Sequence, residues 1–276
     1  MPSLELSTGI RVYYETHGTG EPVLLVMGTG GDHTLWDVTH PAYSDRYHVI
    51  TYDHRGTGQS TTPADPAAYT MRILADDAVA LLDALEIDRA HVSGLSLGSA
   101  VTQEIAINHP ERVLSAQLHC TWAKTDEWLH RLFDSMAYPV ERDDMAAFVR
   151  QAFMWVMSPA YLTERPEDVA AIERAYLLDN PHPPSKAGLL GHLHADHEHD
   201  TLDRLTEMRA PTLVTSGEMD WQVPIRYGRA VNKLIADSTM HIFEGPYSSH
   251  MAFTEMADEF NARTRSFLDE NASSAA

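Results

Sequence analysis

Along the chain, short unbroken apolar runs alternate with longer stretches in which apolar residues recur every three or four positions. An unbroken run marks a strand covered on both faces, and the longer period marks an amphipathic helix. The continuous apolar run at 23–27 therefore reads as a buried strand, as does 47–52, and 89–93, 113–118, 211–216 and 240–243 read as further strands. Residues 4–6 and 11–15, joined at Thr8-Gly9, read as an antiparallel hairpin ahead of them. Helical periods fall at 75–85, from Leu97 through Ala106, at 224–236 behind Pro224, and at 255–268. A short helix at Leu35-Trp36 and a frayed tail from Asn271 complete the pattern. Strand and helix in alternation predict an α/β protein: a mostly parallel central sheet of about eight strands, flanked by helices.

From 122 to 209 the alternation lapses. The segment is helical in pattern and punctuated by Pro139, Pro159, Pro166 and Pro181-His182-Pro183-Pro184. Inserted after the sixth strand, it predicts a helical cap (122–209) over a core formed by 1–121 and 210–276. Most of its aromatic and methionine side chains form the cap's own core; a minority line a pocket for an apolar ligand. The pocket candidates are Trp122, Trp128, Phe153 and Trp155 from the cap, with Gly28, Trp221 and Met251 from the core.

One junction carries chemistry. Gly94-Leu95-Ser96-Leu97-Gly98 lies where a buried strand turns directly into a helix. A turn that tight excludes Cβ atoms at the flanking positions and exposes the serine hydroxyl in a strained backbone conformation. The helix starts at Leu97, so its free N–H groups and positive dipole end face the same spot. The alternative is a glycine-flanked helix cap with Ser96 as N-cap. Residues elsewhere decide between the two. Asp220 follows the strand at 211–216, and His250 follows the last strand. Residues at the carboxyl ends of neighbouring parallel strands converge on one crevice. Fifteen of the sixteen histidines compete with His250, but it alone lies between the last strand and the final helix. Glu218 and Asp203 compete with Asp220, which is favoured by its offset from Gly217 and Pro224. Gly28-Thr29-Gly30-Gly31 leaves a buried strand and resembles a dinucleotide loop, but the third glycine that motif needs is His33. It reads instead as a turn whose backbone approaches another group closely.

Composition narrows the classes. Net charge is −20 across 276 residues, with three lysines, Lys124, Lys186 and Lys233. That field repels nucleic acid and anionic membranes, and no basic cluster offsets it. No apolar run is long enough for a membrane span, and Met1-Pro2-Ser3-Leu4-Glu5 has no signal-peptide pattern. Cys120 is the single cysteine, which excludes an intrachain disulfide and makes the cytoplasm the simplest compartment. A small molecule is the expected partner; the pattern carries no signature of oligomeric state.

The elbow Gly94-Leu95-Ser96-Leu97-Gly98, the Gly28-Thr29-Gly30 loop, Asp53-His54-Arg55-Gly56-Thr57-Gly58, Gly217-Glu218-Met219-Asp220 with Pro224, and the late His250 together resemble the α/β-hydrolase fold superfamily over nearly the whole chain. Within it the chain is most similar to small capped bacterial esterases and lactonases of the 3-oxoadipate enol-lactonase and polyketide methylesterase types. It departs at Met27-Gly28, where His-Gly often opens the oxyanion loop. The resemblance implies Ser96 as nucleophile, His250 as base, Asp220 as its orienting acid, and the backbone N–H groups of Thr29 and Leu97 as oxyanion donors. It implies hydrolysis of an ester or lactone with an apolar or aromatic body, with no cofactor and no metal.

Alternatives remain at this point. The same triad supports C–C bond hydrolysis of a diketone and, as a side reaction, perhydrolysis. Epoxide hydrolases and haloalkane dehalogenases carry Asp where Ser96 stands. A ligand receptor on the same scaffold is the non-enzymatic alternative. His192, His194, His197 and His199, with Asp196, Glu198 and Asp200, invite a zinc reading, but their mixed spacing presents no tetrahedral set. A solvated helix end is the reading taken for them.

Overall fold

The computed structural model describes residues 3–273. Strands β1 (Ser3–Glu5) and β2 (Arg11–His17) form the antiparallel hairpin, followed by β3 (Glu21–Val26), β4 (Tyr47–Tyr52) and helix α1 (Met71–Ala84). Then come β5 (Ala90–Leu95), α2 (Leu97–Asn108) and β6 (Val113–His119). Five helices intervene: α3 (Glu127–Glu141), α4 (Met145–Val156), α5 (Pro159–Glu164), α6 (Pro166–Arg174) and α7 (Lys186–Glu198). The alternation closes with β7 (Thr212–Gly217), α8 (Arg226–Leu234), β8 (Ser238–Phe243), α9 (Ala252–Glu255) and α10 (Ala257–Glu270). The eight strands form one sheet in the order β1-β2-β4-β3-β5-β6-β7-β8. β2 pairs antiparallel with β1 and β4, and every later pairing is parallel.

The strand interiors explain the topology. Val23, Leu24, Leu25 and Val26 are fully buried, so β3 needs cover on both faces. One face packs against α1 and α2, the other against Trp36, Tyr43, Phe253 and Phe260. Among the described residues no helix is long and apolar enough to cross a membrane.

Several boundaries move, each for a local reason. α1 begins at Met71 because the Thr70 side chain accepts from Ile73 N–H and caps it. Pro224 precedes α8 by two residues. The C-terminal helix is split at Met256, which adopts φ −128°. Pro139 lies inside the last turns of α3, whereas Pro159 and Pro166 each start a helix. Asn271 and Ser273, expected to fray, are held: the Ser273 N–H donates to Glu21 Oε2 at 3.1 Å. Residues 274–276 of that tail lie outside the described residues.

The histidine-rich stretch departs furthest from its reading. His192, Asp196 and His199 are 0%, 1% and 3% exposed, so the helix end is not solvated throughout. Helix α7 lies on the core's loops: Gly188 abuts the Gly56 backbone and Gly191 abuts the Tyr69 ring, with no room for a Cβ at either. His192 and Asp196, further along the helix, face the loop after β3.

Candidate active site

The elbow is built as its glycines require. A Cβ on Gly94 would lie 2.1 Å from Gly98 O, and one on Gly98 would lie 2.0 Å from Val26 O. Ser96 is held at φ +55°, ψ −121°, a conformation that L-residues avoid. Its N–H is tied to His119 O at 2.9 Å, and its carbonyl accepts from Ser99 N–H at 2.7 Å. Leu97 opens α2, which leaves its N–H without an intrahelical acceptor beside the Ser96 side chain.

Asp220 and His250 come from the loops after β7 and β8. Gly217 lets these loops touch, since a Cβ there would lie 2.0 Å from Ser248 O. Met219 N–H then donates to Ser248 O at 2.9 Å. His250 Nδ1 is 2.9 Å from Asp220 Oδ2, while Asp220 Oδ1 accepts from Val223 N–H at 2.8 Å. Both side chains are nearly inaccessible. The Asp220 contact assigns the proton to His250 Nδ1 and leaves Nε2 as the acceptor. The loop is also tied to α4, because Met251 N–H donates to Val156 O.

Ser96 and His250 line one cavity of about 130 Å³, together with Gly28, Thr29, Phe153 and Met251. Methionine, leucine, valine and phenylalanine side chains make up most of its wall, and no lysine, arginine or carboxylate faces it. Beside Ser96, Thr29, Tyr176 and His250, the wall carries Gln222, whose Oε1 is buried without a hydrogen-bond partner. Gly28 packs against the elbow, its Cβ position 3.3 Å from Ser96 Cβ. The Thr29 N–H has no partner among the described residues.

Four pocket candidates lie elsewhere. Trp122 is fully buried against Phe133 and His199, and its indole N–H donates to Thr125 Oγ1. Trp128 is 43% exposed and meets Trp155 edge to face, so both are on the outer side of α3 and α4. Trp221 is 45% exposed, because the turn after Asp220 directs it outward. In place of the tryptophans the wall uses Phe148, Val149, Ala152, Phe153 and Val156, one stripe of α4.

Two further clusters were invisible as such in the sequence. Asp53 Oδ1 accepts from His33 N–H at 2.9 Å and contacts His33 Nδ1 at 2.7 Å, while its Oδ2 accepts from Gln59 N–H. This staples the loops after β3 and β4. Cys120 lies within 4.8 Å of Asp220 and His250. Burial, with Asp220 alongside, pushes its thiol well above the usual range, so it is a neutral thiol and a poor metal ligand.

The strained serine at a strand-to-helix turn, on a sheet of this order, is the arrangement of one fold family, and residues 21–255 match that family, described as the alpha/beta hydrolase fold. The chain belongs to the α/β-hydrolase fold family. A protein of Azorhizobium caulinodans named "Putative carbamate hydrolase RutD" is 30% identical over 259 residues, covering 94% of this chain and 95% of that one. The enol-lactonase of Burkholderia xenovorans LB400 superposes with a TM-score of 0.87 at 25% identity, over 97% of this chain and all of the other. A hydrolase of Pseudomonas aeruginosa PA01 gives 0.87 at 30% identity, over 97% of each chain. This α/β-hydrolase is thus similar to hydrolases throughout its length.

Proposed function

We propose that the protein is a serine hydrolase that cleaves a carboxylic ester or lactone of an apolar or aromatic small molecule through an acyl-enzyme. The observation that carries this reading is Ser96, strained at the mouth of a helix, on the wall of the same cavity as an imidazole oriented by Asp220. A serine hydroxyl is inert until a base takes its proton. In this reading His250 Nε2 takes it as Ser96 Oγ bonds to the substrate carbonyl carbon. Asp220 keeps the imidazole in the tautomer that can accept, and stabilises the imidazolium that forms. The backbone N–H groups of Leu97 and Thr29 bind the oxyanion, and losing one such donor costs about 3 kcal/mol of barrier. The imidazolium then protonates the leaving alcohol. Water, deprotonated by His250, releases the acid and restores Ser96.

The apolar wall supports an uncharged body for the substrate: a carboxylate or ammonium would be desolvated there without a partner. A cavity of about 130 Å³ is close to the size that accommodates a benzene ring. The likeness to an enol-lactonase supports a cyclic ester among the substrates. A second reading is favoured by Gln222, whose unpartnered Oε1 suits an N–H next to the scissile carbonyl, as in a carbamate. Turnover of short p-nitrophenyl esters, an aromatic lactone and an N-alkyl carbamate decides the order of preference. Ser96→Ala should abolish turnover of all three and block labelling by a fluorophosphonate. Retained turnover in that variant rejects the nucleophile, and absence of labelling in the unaltered protein favours a receptor.

A further inference from the structure

Thr29 lines the cavity, and its hydroxyl has one partner: Asp196 Oδ2, 2.6 Å away on α7. Asp196 is 1% exposed, its Oδ1 has no hydrogen-bond partner, and it forms no ion pair among the described residues. An ionised carboxylate in that setting is costly, whereas a neutral carboxyl needs only one acceptor for its O–H. The two states give Thr29 opposite roles. Beside a carboxylate, the Thr29 hydroxyl must donate to it. Beside a neutral carboxyl, Thr29 Oγ1 accepts, and the hydroxyl's own proton is free to point elsewhere.

Resting on the roles given above to Ser96 and the Thr29 loop, we propose that Asp196 is a positioning residue. Its neutral carboxyl donates to Thr29 Oγ1, which turns the Thr29 hydroxyl proton toward the substrate oxygen and adds a side-chain donor to the oxyanion site. The loop is held for this purpose from the same helix. His192 Nδ1 accepts from Gly30 N–H at 3.1 Å, and His192 Nε2 donates to Arg55 O at 2.8 Å. Tyr176 donates to Gly30 O from the other side.

Burial pushes the Asp196 carboxyl up to about 7, against the opposing pull of the Thr29 hydrogen bond. Around it, His192 on α7 and His54 after β4 are held neutral by burial, and burial raises the Tyr176 hydroxyl well above its usual range. Asp32 in the neighbouring loop is bound to Thr34 and Asn180, Asp126 at the start of α3 to Tyr227, and Asp220 to His250. As pH rises through about 7 the carboxyl ionises, Thr29 donates to it, and the extra donor is lost. Turnover therefore falls on the alkaline side.

The test is the pH profile of kcat on a p-nitrophenyl ester for the unaltered protein, Asp196→Asn, Thr29→Val and Thr29→Ser. Asn keeps a neutral donor at every pH, so Asp196→Asn should match the unaltered kcat near pH 6 and lose the alkaline fall. Thr29→Val should lower kcat about 10²-fold with little change in KM, and Thr29→Ser should restore it. An alkaline fall that survives in Asp196→Asn, or an unchanged kcat in Thr29→Val, overturns the proposal. If Asp196→Asn does not fold, the Thr29 pair decides alone. Turnover surviving in Ser96→Ala sinks the underlying reading; an inactive Ser96→Ala beside fully active Thr29→Val sinks only this inference.

Discussion

Acid should unfold this protein early, and the structure says why. Among the described residues four buried imidazoles are strongly depressed: His54 and His119 are pushed down to about 3, His192 and His199 to about 4, all mainly by burial. Their hydrogen bonds suit the neutral ring. His192 uses one nitrogen as acceptor and the other as donor, and His119 lies between Ser93 and Thr215 in the centre of the sheet. His54 and His199 each leave a buried Nδ1 without a partner, where a proton would find no acceptor. The unfolded chain takes up these protons near 6.5, and the folded chain refuses them until about 3 to 4. A native pKa below the unfolded one for a base means that stability is intact above 6.5 and is lost as pH falls. Each such group costs about 1.4 kcal/mol per pH unit in that window. Asp196 acts in the opposite sense, holding a proton from about 7 down that the unfolded carboxyl takes near 3.8. Across these five groups the imbalance is three protons, so they should lower stability by about 4 kcal/mol per pH unit below 6. By pH 5 the loss is about 5 kcal/mol, comparable with the whole stability of many domains. Urea unfolding followed by circular dichroism at half-unit steps from pH 7.5 to 5 measures this directly. His199→Gln should reduce the slope by about one proton. A slope below one proton in the unaltered protein refutes the reasoning.

Two further substitutions test how the loops are held. Arg55 Nε and a terminal nitrogen bind the two oxygens of buried Asp77 at 2.6 and 2.7 Å. Asp77→Ala leaves that guanidinium unpaired and should lower urea-derived stability by about 3–5 kcal/mol; a change under about 1 kcal/mol contradicts the pairing. Gly217→Ala sets a Cβ against Ser248 O and must part the loops that bring Asp220 to His250. A displacement of about 1 Å should cost about 10²-fold in kcat, read in p-nitrophenyl ester assays; full activity in that variant shows that the loops tolerate separation.

Most of the architecture was legible because strands covered on both faces are rich in apolar residues, and β3 stands out from its surroundings for that reason. The elbow was legible because only glycine satisfies the contacts at 94 and 98. The cavity wall was not. Helix α4 is apolar on both sides and both Phe153 and Trp155 pack against the core, so periodicity does not say that Phe153 is the one lining the cavity. Tryptophan size made Trp122, Trp128 and Trp221 attractive candidates, although large rings serve equally well as buried filler or exposed cover. His192 and Asp196 were missed because charged neighbours suggested solvent. Their signal was present: they are four residues apart, on one face with Leu189 and Leu193, so they share the buried side of α7.

In the proposed reading, that buried face also lets a chain of net charge −20 bind an oxyanion at Thr29. A remote field is screened over roughly 10 Å in ordinary salt, so the groups that touch the loop matter more than the total. Those groups are His192 on Gly30, His54 on Met27 O, Asp196 on Thr29 and Tyr176 on Gly30 O. Burial favours the uncharged form of all four at neutral pH or below. The turn at Met27 to Gly30 is therefore held by hydrogen bonds to uncharged groups, while the Asp53 carboxylate ties the loop further along, at His33. Neutrality has its own cost, because each buried imidazole becomes a point of failure in acid. In the proposed reading one helix thus bears on both pH ranges: His192, with His199 at the C-cap, adds to the acid-side loss shared with His54 and His119, and Asp196 limits the alkaline side of turnover.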